Sequence, residues 1–146
     1  MADDRPALRG DVPGEIDLLL FRSDDVNMAV DTDQVASIIS AELAAQQAIQ
    51  FEALSGLLGR PGAAAEATSK VLLFRDGEKT LGIGISELDS ILSIKTDIIQ
   101  PLPELLLHGG GLRPFWGVIP RGSAVVLLID LFRLKGLITR RAETTA

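Results

Sequence analysis

The sequence contains no cysteine, which excludes disulfide bonds, thiolate metal sites and cysteine nucleophiles together. It has one histidine and one tryptophan, and an aromatic share of 4% leaves the filling of a core to aliphatic side chains. No apolar run approaches the roughly 20 residues that a membrane-spanning helix needs. The first residues, MADDRPALRGDVPG, carry acids and prolines and no apolar segment, so we expect no secretory signal peptide there.

Basic residues are also few relative to acidic ones. The chain has 14 basic and 20 acidic residues, which gives a formal net charge of −6. Binding to a phosphate backbone or to an anionic membrane surface depends on clustered Lys and Arg. We therefore expect no nucleic-acid partner, no direct membrane insertion and a cytoplasmic location. A hydrophobic share of 47% over 146 residues is enough for a domain with a substantial core.

The sequence contains an internal repeat. Residues 17–40, DLLLFRSDDVNMAVDTDQVASIIS, align without a gap to residues 70–93, KVLLFRDGEKTLGIGISELDSILS, at an offset of 53 positions, from Phe21 to Phe74. A second pair, IQFEALSGLLG and VLLIDLFRLKG, aligns at an offset of 77, from Gly59 to Gly136. A repeat indicates that two halves share one architecture. Since 77 exceeds 53 by 24, the first half is shorter by that many residues between its arms.

Both halves are predicted to be mainly β. LLLF and VLLF are short apolar strands, and Asp76-Gly77 is a strong hairpin-turn signal. TLGIGI alternates with the period of a half-buried strand, and Gly82 and Gly84 suggest bulges or tight bends in it. SELDSILSI is expected to form a third strand. LSGLLG and LFRLKG are expected to form short helical turns, each closed by glycine.

Two interpretations of residues 40–58, SAELAAQQAIQFEALSGLL, stay open. Their Ala, Leu, Gln and Glu content favours a helix. The repeat favours a strand at AIQFEA, and we give the repeat more weight. The chain is accordingly divided into a flexible tail (1–14), a first, truncated β-barrel half (15–59), a linker (60–69), a second half (70–137) and a C-terminal tail (138–146).

The ordered elements of the second half resemble those of the CheW-like domain family, the coupling proteins of bacterial chemotaxis. The matching elements are VLLFRDGEKTLGIGISELDSILSI, QPLPELL, FWGVI and VVLLIDLFRL. The first half fits with a deletion, because AELAAQQA stands where the family carries an Asn-Leu-Arg-Gly signature. The resemblance implies two SH3-like β-barrel subdomains, the first shortened, with short helical turns. It also implies a non-catalytic adaptor that links a CheA-type histidine kinase to chemoreceptors at receptor arrays.

The resemblance further implies a kinase-binding element. QPLPELL matches the stretch with which family members contact the kinase regulatory domain, so kinase binding is assigned to Gln100, Pro101, Pro103, Glu104 and Leu105. Two prolines stiffen this segment, and a rigid loop loses little entropy on binding. The alternative is a rigid connection between strands with no partner.

A second implied contact is the receptor-binding groove of the first barrel, where Val35 falls. The alternative for Val35 is packing in the core, because apolar positions repeated in both halves are more often buried. The expected partners are the CheA-type regulatory domain, the cytoplasmic tip of a chemoreceptor and other CheW-like domains. A divergent member that binds one partner in a non-motility pathway remains an alternative.

Catalytic and metal-binding motifs are incomplete. His108 and the three glycines after it resemble an esterase oxyanion hole, but that chemistry needs a G-x-S-x-G serine and a further histidine, and the sequence has neither. GIG at 82–84 lacks the third glycine of a nucleotide-binding loop. Asp24, Asp25, Asp31 and Asp33 could bind a hard cation, but turn and strand positions favour solvated roles. We therefore expect no enzyme, no cofactor and no metal; a small-molecule-binding β-barrel stays an alternative.

Overall fold

The computed structural model describes residues 14–23, 25–58, 68–102, 114–136 and 138. The chain is mainly β and forms two sheets, as the sequence predicts. The strands are β1 (Glu15–Ser23), β2 (Val26–Asp31), β3 (Ser37–Ser40), β4 (Glu52–Ala53), β5 (Lys70–Asp76), β6 (Lys79–Ile85), β7 (Glu87–Lys95), β8 (Phe115–Arg121) and β9 (Ala124–Ile129). The helices are α1 (Ala41–Gln46), α2 (Leu54–Leu57) and α3 over residues 131–136, with 3-10 turns at Thr32–Gln34 and Thr96–Ile98.

The two predicted hairpins are confirmed. β1 pairs antiparallel with β2, and β5 pairs antiparallel with β6. In the second hairpin Asp76 faces Lys79, so the turn consists of Gly77 and Glu78. Gly77 has a φ of 66°, a conformation that glycine adopts at little cost and that short hairpin turns require. The predicted third strand is also present as β7.

The two halves exchange their third strands. The five-stranded sheet has the order β7-β1-β2-β9-β8, and the four-stranded sheet has the order β3-β5-β6-β4. β7 therefore joins the hairpin of the first half, while β3 joins the hairpin of the second. Leu19 faces Ile91 in one sheet, and their repeat equivalents, Leu72 and Ile38, face each other in the other sheet.

The halves also exchange their last strands. β9 pairs parallel with β2 and places Ile129 beside Val30. β4 pairs parallel with β6 and places Glu52 beside Ile83, which is the equivalent contact by repeat position. Both sheets thus contain strands from both halves. The division at residues 15–59 and 70–137 stays a prediction about sequence units.

β8 has no equivalent strand among the described residues of the shortened half. β8 follows the long second-half insertion, and α1 occupies the corresponding part of the first half. Because the halves exchange strands, the counterpart of β8 that the first half lacks is absent from the sheet built around β5 and β6. This explains why that sheet has four strands and the other has five among the described residues.

The helix interpretation of residues 40–58 is right at its start, and the strand interpretation is right over two residues only. The Ser40 side chain caps α1 by accepting a hydrogen bond from the Leu43 amide at 3.0 Å. Ala44 on α1 is fully buried against Val71 and Leu73. Only Glu52–Ala53 of the expected strand AIQFEA forms a strand, because α1 and the turn and connection after it occupy the preceding residues. No helix among the described residues is long and apolar enough to cross a membrane.

Alternating side chains divide the core into three clusters. Leu19 and Phe21 point from β1 into a central cluster that also takes residues from β5, β6, α2 and α3, and so joins the two sheets. Leu18 and Leu20 point from the other face of β1 into a cluster within the five-stranded sheet. The third cluster is the one under α1. Burial of one such side chain contributes roughly 1.5–3 kcal/mol, so β1 stabilises both sides of its sheet.

Of the bulges or tight bends predicted at Gly82 and Gly84, a bulge is absent from the β5–β6 pairing, which is in continuous register. The glycines serve close approach instead. A Cβ on Gly84 would lie 2.6 Å from Cγ2 of Thr68, and one on Gly82 would lie 3.0 Å from Cβ of Phe51. Side chains from neighbouring segments therefore cross directly over this strand.

Candidate functional site

The segment that carries the predicted kinase-binding residues is attached to the edge of the five-stranded sheet. A 3-10 turn at Thr96–Ile98 ends β7 and redirects the chain. The Gln100 amide then donates to the Val118 carbonyl, and the Val118 amide donates to the Gln100 carbonyl, both at 2.9 Å. Leu102 follows and is buried in the central cluster, with 8% of its surface exposed. Two hydrogen bonds and one buried side chain thus fix residues 99–102 against β8.

Gly117 allows this close attachment. A Cβ at position 117 would lie 2.9 Å from Cγ2 of Ile99 and 3.2 Å from the Gln100 carbonyl oxygen. Contacts that short require the Ile99 side chain, or the backbone at Gln100, to shift away from β8. The glycine in FWGVI therefore has a specific role in positioning the proline-containing segment.

Two of the five predicted kinase-binding residues can be placed. Gln100 and Pro101 are both exposed at the sheet edge. Pro103, Glu104 and Leu105 lie outside the described residues, as do His108 and the glycines that follow it. The assignment of kinase binding to all five stays a prediction.

A residue that the sequence reasoning missed lies on the adjacent strand. On β8 Phe115 faces Ile129 and Gly117 faces Leu128, so Trp116 is an extra residue at a β-bulge. Its side chain is 37% exposed. The available sequence signal was the position of the chain's single tryptophan in the strand after QPLPELL.

Val35 lies at a different place in the fold, between the first 3-10 turn and β3 of the four-stranded sheet. It is half-buried and packs against the central cluster. This position agrees with the core-packing alternative and leaves part of the side chain at the surface. The structure does not bring Val35 and Gln100 onto the same sheet.

Gln34, beside Val35, is a second residue that sequence reasoning missed. Its Nε2 donates to Asp130 Oδ1 at 2.9 Å, and its Oε1 accepts from the Leu131 amide at 2.8 Å. Asp130 Oδ1 also accepts from the Phe132 amide at 2.9 Å and so caps α3. One side chain of the first half therefore ties the segment leading to Val35 to the start of α3 in the second half.

The acidic residues of the first hairpin have local structural roles. Asp25 lies in the β1–β2 turn and forms an ion pair with Arg22 at 3.1 Å. Asp31 accepts a hydrogen bond from the Asp33 amide at 2.9 Å and caps the 3-10 turn. Asp24 lies outside the described residues. Within the described ranges, no group of three or more His, Cys, Asp or Glu side chains is arranged to hold a metal ion.

A cleft of about 280 Å³ opens at one end of the five-stranded sheet. Leu20 and Val126 are among its lining residues, and Asn27, Asp89 and Arg121 contribute polar groups. Ligand-binding pockets span roughly 300–1,000 Å³ and bury most of the ligand. This cleft lies just below that range, and all three polar residues are exposed.

Comparison with family models and with curated proteins finds no match. A solved structure with a similar fold is the crystal structure of the scaffolding protein TtCheW from Thermoanaerobacter tengcongensis. The two chains superpose with a TM-score of 0.64 at 11% sequence identity, over 84% of this chain and 89% of that one. At that identity the likeness concerns the fold. The chain therefore has a CheW-like fold.

Proposed function

We propose that this protein is a non-catalytic adaptor of a bacterial chemosensory pathway, and that it binds the regulatory domain of a CheA-type histidine kinase. The observation that carries the proposal is the fixed proline-containing segment at the edge of a CheW-like fold. Gln100 and Pro101 are exposed there, while two hydrogen bonds and buried Leu102 hold the backbone in place. A surface fixed before binding loses little conformational entropy when it binds.

The chemistry of the chain supports an adaptor more than an enzyme. Its single histidine lies in a motif that lacks the serine and second histidine of an esterase. The side chains of Asp25 and Asp31 in the first hairpin are engaged in a turn and a cap. Protein–protein binding needs none of these groups.

Chemoreceptor binding would depend on Val35, whose side chain is half-buried against the central cluster, while the first half lacks the Asn-Leu-Arg-Gly signature. A divergent adaptor that binds the kinase alone, or binds other CheW-like domains, is consistent with both facts. Cytoplasmic location at a receptor array follows from the same proposal.

A small-molecule-binding barrel is the second candidate, and the cleft beside Leu20 and Val126 is the observation that favours it. Its volume of about 280 Å³ and its exposed polar rim fit a small, weakly held ligand. The adaptor function needs no ligand in that cleft. Asp89→Ala, at the rim and on β7 at the other edge of the sheet, is therefore expected to leave kinase binding unchanged.

Titration calorimetry with the regulatory domain of a CheA-type kinase tests the proposal. The wild-type chain is expected to bind, and Glu104→Lys and Leu105→Ala are each expected to weaken binding about tenfold, as for residues within an interface core. Glu78→Lys makes the same charge change in the exposed β5–β6 turn and should bind as the wild type does. Absence of binding by the wild type to CheA regulatory domains would remove the proposal.

A further inference from the structure

We infer that the cleft at the end of the five-stranded sheet binds a small zwitterion with an aliphatic body, the chemical class to which leucine belongs. The inference rests on the second candidate function, for which it names a ligand class, and it does not depend on kinase binding. Its basis is that two opposite charges, Asp89 and Arg121, line the same opening as the apolar side chains of Leu20 and Val126.

All five strands of the sheet contribute to the cleft. Asp89 lies on β7 and Arg121 on β8, which are the two edge strands, while Leu20, Asn27 and Val126 lie on the three strands between them. The two edges of one sheet line a common opening only when the sheet curls towards a barrel. The mouth of a β-barrel is one of the places where small-molecule sites occur most often.

The apolar floor of the cleft is the end of the core cluster within the five-stranded sheet. Leu20 and Val126 belong to that cluster and are buried. Arg121 lies two residues beyond Ile119, another member of the cluster, and every second side chain of a strand lies on the same face. Arg121 therefore extends the inner face of β8 to the mouth, where its charge meets solvent.

Asp89 occupies a β-bulge at this mouth. On β7 Leu88 faces Phe21 and Ser90 faces Leu20, so Asp89 is the extra residue between them. Bulges reorient side chains and are frequent next to binding sites. Asp89 is exposed and lines the cleft, which places a carboxylate at the edge opposite the guanidinium.

The charges of the cleft differ from the charge next to it. Arg22, near the end of β1, pairs with Asp25 at 3.1 Å and with Glu87 at 3.6 Å. Among the residues that the structure describes, neither Asp89 nor Arg121 forms an ion pair. A ligand with an ammonium group for Asp89 and a carboxylate for Arg121 gives both side chains a charged hydrogen-bonding partner.

Size and charge together narrow the ligand class. One water molecule occupies roughly 30 Å³ of the liquid, so a cleft of about 280 Å³ holds about nine groups of that size, which is close to the size of leucine. A phosphate at Arg121 would also face Asp89. A metal ion would lack ligands, since no group of three or more His, Cys, Asp or Glu side chains in the described ranges is arranged to hold one.

A ¹H–¹⁵N NMR titration of the full chain with three compounds tests the inference. Leucine is expected to shift the backbone amides of Asn27 and Arg121, with a dissociation constant on the order of 1 mM, since so small a ligand makes few contacts. Isocaproate lacks the ammonium group and isoamylamine lacks the carboxylate. Each is expected to bind about fivefold more weakly than leucine, as for the loss of one exposed ion pair.

Two conservative variants assign the two charges. Asp89→Asn is expected to weaken leucine binding about fivefold and to leave isocaproate binding unchanged. Arg121→Gln is expected to weaken leucine binding equally and to leave isoamylamine binding unchanged. Arg75→Gln makes the same change at an exposed position of the four-stranded sheet and should bind leucine as the wild type does.

The outcomes separate the ligand class from the presence of a site. Leucine binding that is no tighter than isocaproate or isoamylamine binding, or that both variants leave unchanged, overturns the inference while a small-molecule site stands. Absence of shifts with all three compounds removes the inference together with the second candidate function. Kinase binding, measured separately by calorimetry, is unaffected by either result.

Discussion

Ala48 is a residue whose backbone conformation costs stability. It follows α1 with a φ of 57°, in the left-handed region, and its amide donates to the Ala45 carbonyl at 3.1 Å. Glycine is the usual residue at this position after a helix because it lacks the Cβ that makes the conformation unfavourable. The first helix of this protein therefore ends with strain that a single substitution can relieve.

Ala48→Gly is expected to raise the free energy of unfolding by about 0.5–1 kcal/mol, measured by urea denaturation. Ala45→Gly is the matched control, because the same change within α1 is expected to lower that free energy by about 1 kcal/mol. Equal losses from both substitutions would contradict the left-handed conformation at position 48.

Gln34 links the two halves through the two hydrogen bonds that its amide group makes. Gln34→Ala leaves the part-buried Leu131 amide without its acceptor and removes a donor from Asp130. We expect a loss of about 1–3 kcal/mol in the free energy of unfolding. Gln46→Ala, on the exposed side of α1, should change it by less than about 0.5 kcal/mol. If Gln34→Ala and Gln46→Ala lower the free energy of unfolding by similarly small amounts, the Gln34 hydrogen bonds contribute little to stability.

At the scale of elements, the hairpins could be predicted because their signals are local, whereas the glycine closure expected for LFRLKG is wrong, since Gly136 lies within α3. Asp76-Gly77 and the alternation after it depend on neighbouring residues only. The start of α1 has a local signal as well, since Ser40 precedes a run of helix-forming residues. The bulge that exposes Trp116 could not be predicted, because it depends on the register between β8 and β9. The Gln34–Asp130 link joins residues 96 positions apart and was equally beyond local patterns.

Gly117 determines how closely the candidate binding segment lies against β8. Gly117→Ala puts a Cβ 2.9 Å from Ile99 Cγ2, so we expect a loss of about 1–3 kcal/mol in stability. Amide hydrogen exchange at Gln100 and Val118 should accelerate, because their mutual hydrogen bonds lengthen. Gly56→Ala is the control: nothing lies within 4 Å of its Cβ, and α2 should be unchanged or more stable. Unchanged exchange at Gln100 in Gly117→Ala would refute the positioning role.

At the scale of the whole molecule, the repeat appears as an exchange of strands. The sequence indicates that the halves are alike, but local patterns do not reveal whether third strands pair within a half or between halves. In the structure β7 lies beside β1 and β3 beside β5, with equivalent residues in equivalent register. The central cluster, which takes side chains from both sheets, binds the halves together further.

The exchange predicts that neither half folds alone. Fragments 1–59 and 60–146, expressed separately, are each expected to lack a cooperative unfolding transition by circular dichroism, since each hairpin loses two neighbouring strands. Mixing the fragments should restore the β spectrum and a single transition. A cooperative transition in fragment 60–146 alone would mean that β5 and β6 do not need β3 and β4.

We propose that a kinase regulatory domain binds at the β8 edge of this CheW-like fold. Hydrogen exchange of the full chain, with and without a saturating regulatory domain of a CheA-type kinase, tests this proposal. Slower exchange is expected in residues 98–106 and 115–118, with little change in β3 at the edge of the other sheet. Slower exchange confined to β3, or no change anywhere at saturation, would contradict it.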